Sequence, residues 1–241
     1  MYRILNPENI VETIDRLYHR IEERFPASGL GRVCQELQKI AEESASRSRW
    51  IECPNLWLRI GAAAVIGVGL IGIVISIIYM KVPTASITVI DFIQVIESAL
   101  NDIILISAAI FFLVTVETRI KRARALDALH ELRSISHVID MHQLTKDPAH
   151  LSPMMVSTSS SPHKRLTSFE LMRYLNYCSE LLSLTGKVAS IYSQNFRDSV
   201  VLATVNDLET LTTGLSRKIW QKIIILQQLD VEPGIKKSLA Q

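Results

Sequence analysis

The chain has 241 residues, a formal net charge of +2, 48% hydrophobic residues and only 6% aromatics. That near-neutral balance excludes a global basic field of the kind that draws nucleic acid, and the positive mean hydropathy is too high for one ordinary soluble domain. Cys34, Cys53 and Cys178 are far apart, odd in number and form no CxxC pair, so neither a disulfide framework nor a thiolate zinc site is suggested.

In chain order, the Asn6-Pro7-Glu8 start and the Ile10, Ile14, Leu17 and Ile21 stripe predict an amphipathic helix that ends before Pro26. A second helix follows the Ser28-Gly29 turn, with Leu30, Val33, Leu37 and Ile40 at three- and four-residue spacing. Residues 1–50 therefore read as a helical hairpin with an apolar edge to bury.

From Ile60 to Met80 there is no charge for 21 residues, about 31 Å of helix and the thickness of a hydrocarbon core. No polar stripe interrupts it, as one would in a soluble core helix. Ala63, Gly67, Gly69 and Gly72 make one side small, which predicts close helix packing there. The next apolar stretch, Ile103–Val116, has only 14 residues between Asp102 and Glu117; helical continuation upstream through ITVIDFIQVIESALN gives it the reach to span.

Arg47, Arg49 and Arg59 precede the first apolar segment, and Arg119, Lys121, Arg122 and Arg124 follow the second, whereas the loop 82–101 has neither Lys nor Arg. The positive-inside bias then places both termini in the cytoplasm of a bacterial-type inner membrane. The run Arg119, Lys121, Arg122 and Arg124 is suited to anionic lipid headgroups. Asp91 and Asp102, eleven residues apart on one helix face, are candidates for acidic rings at the outer end of a pore in a symmetric oligomer.

No Gly or Pro breaks the helical pattern from Thr118 to Asp147, which predicts a cytoplasmic stalk. On it, His130 and His137 are seven apart and Asp140 three further on, the weak candidate set for a metal ion, with His142 off that line. Pro148, Pro153, Pro162 and the serine-rich run 157–161 read as a linker. Thr167 with Glu170 forms a capping pair for a helix running to about Asn195. In the last helix Val205, Leu208, Thr212, Leu215, Ile219, Leu226 and Leu229 fall on a heptad seam, with Lys222 the charged exception. That seam suits either a coiled coil between subunits or one edge of an internal bundle.

The expected fold class is an all-α membrane protein, a two-span transmembrane hairpin with cytoplasmic amphipathic helices forming a bundle. Its segments are a hairpin (1–50), a first transmembrane helix (56–80), an extracytoplasmic loop and amphipathic segment (81–101) and a second transmembrane helix (102–118). A stalk (119–146), a Ser/Pro-rich linker (147–166), a C-terminal helical pair (167–232) and a tail (233–241) complete it. No nucleotide loop, zinc-hydrolase motif, nucleophile elbow or EF-hand loop occurs. The expectation is a non-enzymatic, cofactor-free module that self-associates in the bilayer and presents its bundle to a protein partner or signal. An oligomeric channel is the alternative, and no nucleic-acid partner is expected.

Overall fold

A computed structural model describes residues 4–52, 56–79, 89–148 and 166–238, and all regular structure among them is helical. The helices are α1 (Pro7–Arg24), α2 (Gly29–Glu52), α3 (Leu56–Tyr79), α4 (Val89–Leu144), α5 (Ser168–Asn195) and α6 (Ser199–Ser238). They belong to two compact units. One comprises Met1–Glu52 with Arg124–Gln241, the other Cys53–Ala123, so the division falls within α4. The loop 81–88, Cys53 and the Ser/Pro-rich run with Pro153 and Pro162 lie outside the described residues.

In the larger unit each helix start has its own local cap. The Asn6 side chain accepts from the Glu8 amide at 2.9 Å ahead of Pro7, and Ser28 Oγ accepts from the Gly31 amide at 3.1 Å. Thr167 and Glu170 close a reciprocal capping box, while Asp198 accepts from Val200 and Val201 at 3.0 and 3.2 Å. Such caps satisfy the amides that a first helical turn leaves unpaired. The tight α1–α2 turn holds Ala27 at φ 54°, and the Glu22 carboxylate accepts its amide at 2.8 Å.

The apolar stripes of these helices meet in one core. α1 packs on α2, both pack on α5, and α5 packs on α6. Ile10, Ile14, Leu17 and Ile21 are buried with Leu30, Val33 and Leu37, and Leu175, Cys178, Leu181 and Leu182 of α5 join them. Of the α6 seam, Val205, Leu208, Thr212, Leu215, Ile219 and Leu226 are buried within the chain and Leu229 is half-buried, while Ile223, outside the expected seam, is buried as well, so the seam forms a bundle edge. From Arg124 onward α4 buries Ala125, Ala128, Leu129, Leu132, Ser136 and Ile139. This segment is thus a packed bundle member rather than a free stalk, its small alanines allowing close approach. Burial pushes the Cys34 and Cys178 thiols up to about 12, consistent with inert core residues. At its far end α6 continues through Pro233 to Ser238, beyond the expected start of the tail; proline's fixed φ is helix-compatible, at the loss of one backbone bond.

The smaller unit contains α3 and the first part of α4. α4 is the one described helix long and apolar enough to cross a membrane, with none of its most apolar stretch buried, and α3 adds a shorter apolar run at Ile60–Gly72. α4 begins at Val89, so the amphipathic residues upstream of Asp102 are continuous with the apolar segment. Val68, Leu70, Ile71, Leu105, Phe111 and Phe112 are all exposed. Thr115 and Thr118 donate to the carbonyls of Phe111 and Val114 at 2.8 and 3.1 Å, so their hydroxyls are satisfied inside the helix.

Candidate functional site

The residues singled out by spacing are distributed differently once folded. His130 and His137 are exposed on α4, and Asp140 accepts from Gln143 Nε2 at 2.7 Å. Among the described residues no three His, Cys, Asp or Glu side chains gather to hold a metal ion. In the smaller unit a Cβ on Gly69 would come within 2.6 Å of Ile106, whereas Gly67 and Gly72 face open space and Ala63 is exposed. The small face is therefore used at one position for contact with α4. Asp102 is exposed on α4, and Asp91 lies on the same helix with its side chain outside the description. Glu117 is paired with Lys121 at 3.0 Å, which neutralises the acid fencing the apolar stretch. Arg119 and Arg124 are exposed and Arg122 is half-buried.

The C-terminal end of α4 is built more tightly than its sequence suggests. His142 turns inward against the first residue of α2, where a Cβ on Gly29 would collide with the imidazole, and its Nδ1 stands 3.5 Å from the Tyr174 hydroxyl. Burial, with Lys146 and Arg32 nearby, pulls the imidazole below its ordinary value. The α2 N-terminus acts in the same direction. The unfolded chain therefore takes up this proton near pH 6.5, whereas the folded chain does so only at lower pH. Stability is full above that range and falls as pH drops through it. We expect the stability difference between wild type and His142→Gln to narrow as pH falls from 7.5 to 5.5, read from urea unfolding of the solubilised chain; a constant difference would refute the assignment.

A concentration of charge lies where the last turns of α1 meet the first turns of α5. Arg20, Glu23 and Arg24 come from α1, and Arg173 and Tyr177 from α5; together they line a cavity of about 510 Å³. Helical spacing sets each pair, since Arg20 and Arg24 are four apart, as are Arg173 and Tyr177. Phe25 fixes the floor by standing edge-on to Tyr174 and Tyr177 at centroid distances of 5.4 and 6.3 Å.

Above the Tyr177 ring lie the guanidinium groups of Arg20 at 5.3 Å and Arg173 at 5.0 Å, while Arg24 covers Phe169 at 5.3 Å. Arg20 is committed to Glu180, with two hydrogen bonds of 2.9 and 3.2 Å. Arg24 and Arg173 make no ion pair among the described residues. Burial pushes the Tyr177 phenol up, but Arg173 and Arg24 outweigh it and hold the phenol below its ordinary value. The Nε of Arg173 is buried without a partner among the described residues.

Sequence spacing alone does not single out these residues. The Arg-xxx-Arg and Arg-xxx-Tyr pairs are visible, but their meeting depends on the packing of α1 on α5 across some 150 residues of chain. The chain matches no protein-family model, no curated protein and no solved structure.

Proposed function

We propose that the chain is a non-enzymatic, membrane-anchored helical module. Cys53–Ala123 would form a two-span hairpin in a bacterial-type inner membrane, with the larger helical unit in the cytoplasm receiving a partner or signal. The observation that carries this reading is the apolar surface of the smaller unit: the most apolar stretch of α4 is wholly unburied, and Leu105 and Phe111 are each 74% exposed. A soluble core helix of that composition would be covered, and water does not tolerate so large a contiguous apolar surface. A bilayer does, provided that the backbone is satisfied internally, as in a helix.

The second crossing is supported by the 24-residue α3 and its charge-free run from Ile60 to Met80; the orientation rests on the Lys and Arg bias. Self-association and partner binding are supported by apolar side chains left exposed on the larger unit, Trp220, Ile224 and Ile225 of α6 and Val138, Met141 and Leu144 of α4.

Thiol labelling of variants with one added cysteine, made on a Cys53→Ser background that keeps the buried Cys34 and Cys178, tests the topology. A membrane-impermeant maleimide should label Ser86→Cys in intact spheroplasts and Arg217→Cys only after permeabilisation. Equal labelling of both sites in intact cells, or release of the chain by alkaline carbonate, would contradict the hairpin. Mass photometry of the chain in nanodiscs then reads self-association directly; a uniformly monomeric population rejects that part of the proposal.

A further inference from the structure

The cleft between α1 and α5 has the composition of an anion receptor with a second, polar specificity. Two guanidinium groups, those of Arg24 and Arg173, are free of carboxylate partners among the described residues and converge on the Tyr177 phenol. Planar forks of this kind match the oxygen spacing of phosphate and bind it through paired hydrogen bonds. The buried Nε of Arg173 is an unfilled donor, and a buried donor without an acceptor is costly.

Glu23 sets the limit on what else the ligand carries. A carboxylate on the wall repels a bare anion but accepts hydrogen bonds from hydroxyl groups. The cleft, about 510 Å³, lies within the usual range for small-molecule sites. Arg20 is held to Glu180 at 2.9 Å, so it serves as a fixed wall rather than a free charge.

We propose that the Arg24, Arg173, Tyr177 and Glu23 cleft binds a small phosphate ester bearing hydroxyl groups. The phosphoryl group sits between the Arg24 and Arg173 forks, and a hydroxyl of the same molecule donates to Glu23. The inference deepens the signal-receiving part of the proposed function and rests on it for biological meaning. Binding itself is read on the solubilised full chain, so its failure leaves the topology result untouched, and a failed topology leaves the binding result standing.

The probe is ribose 5-phosphate, titrated calorimetrically into full-length protein, with ribose and orthophosphate as the two halves of the ligand. Ribose 5-phosphate is expected to saturate at one site per chain, and at least tenfold more tightly than either half. Arg24→Gln and Arg173→Gln should each weaken it tenfold or more. The exposed Arg217→Gln, on α6 and outside the cleft, should stay within twofold. Glu23→Gln should weaken ribose 5-phosphate while strengthening orthophosphate.

Arg24 ends α1 at a solvent-facing position, so Arg24→Gln keeps the test decisive if Arg173→Gln fails to fold. Equal affinity in wild type and Arg24→Gln, or an equal loss in Arg217→Gln, overturns the site. Tighter binding of both probes in Glu23→Gln overturns the hydroxyl assignment. The same chemistry is presented by a lipid headgroup, and nanodiscs with and without phosphatidylglycerol separate the sources. Unchanged ribose 5-phosphate affinity assigns the cleft to a soluble ester. Competition that disappears in Arg24→Gln assigns it to the headgroup.

Discussion

Phe111→Arg is expected to reduce membrane insertion of the chain by about 2.5–3.5 kcal/mol, roughly a hundredfold in the inserted fraction, the cost of arginine near the centre of a spanning helix. Position 111 lies inside the Ile103–Val116 stretch and is 74% exposed, so its side chain has no protein neighbours to shelter a charge. In water the same substitution at such an exposed site would change stability by no more than about 0.5 kcal/mol and would raise solubility. The two environments thus predict opposite outcomes. Protease protection of the membrane-integrated chain distinguishes them, with Leu144→Arg as the control. Leu144 is 60% exposed but belongs to the larger unit, and its substitution should leave insertion unchanged. Normal protection of the Phe111→Arg chain would remove the main support for the bilayer reading.

Features written within one or two turns of chain were legible in the sequence. The all-α class, the Asn6-Pro7 start, the Ser28 turn and the Thr167–Glu170 box each depend on groups three or four residues apart, and each is present in the structure. Features that require two distant segments to meet were not. Spacing marks Gly67, Gly69 and Gly72 equally, but only the position of Ile106 selects Gly69 for contact. Gly29 reads as an ordinary turn residue until His142, more than a hundred residues later, is seen against it. The α4 segment after Arg124 carries charges on most turns, which masks the narrow stripe of Ala125, Ala128, Leu129 and Leu132 that it buries. The arginine cleft is of the same kind, since neither helix contains it alone.

Lys222 is the sharpest case, and the second large effect is expected there. On the α6 seam it is a charge among buried apolar neighbours, yet its ammonium donates to the carbonyls of Gln143 at 2.8 Å and Lys146 at 3.4 Å, at the C-terminal end of α4. The last carbonyls of a helix lack internal partners and carry its negative end. Two effects oppose each other. Burial pulls the ammonium below its ordinary value despite Asp147 and Asp140 nearby, so the charge itself is a net cost; the hydrogen bonds it makes are the gain. A hydrogen bond to a charged group contributes about 1.5–3 kcal/mol, and desolvation of the half-buried ammonium offsets part of that gain. Lys222→Met should therefore destabilise the bundle by about 1–2 kcal/mol at neutral pH, since the apolar surface gained by Met does not replace a donor to two carbonyls. Raising the pH adds an independent signature. With its folded value depressed, the folded chain releases this proton before the unfolded chain does, so this contribution rises as pH climbs through the folded value toward about 10.5 and is level outside that window. Urea unfolding followed by circular dichroism should show the gap between wild type and Lys222→Met widening across that window. A Met variant as stable as wild type at neutral pH would show that the cap contributes nothing, and that α6 tolerates Lys222 only because its stem reaches water.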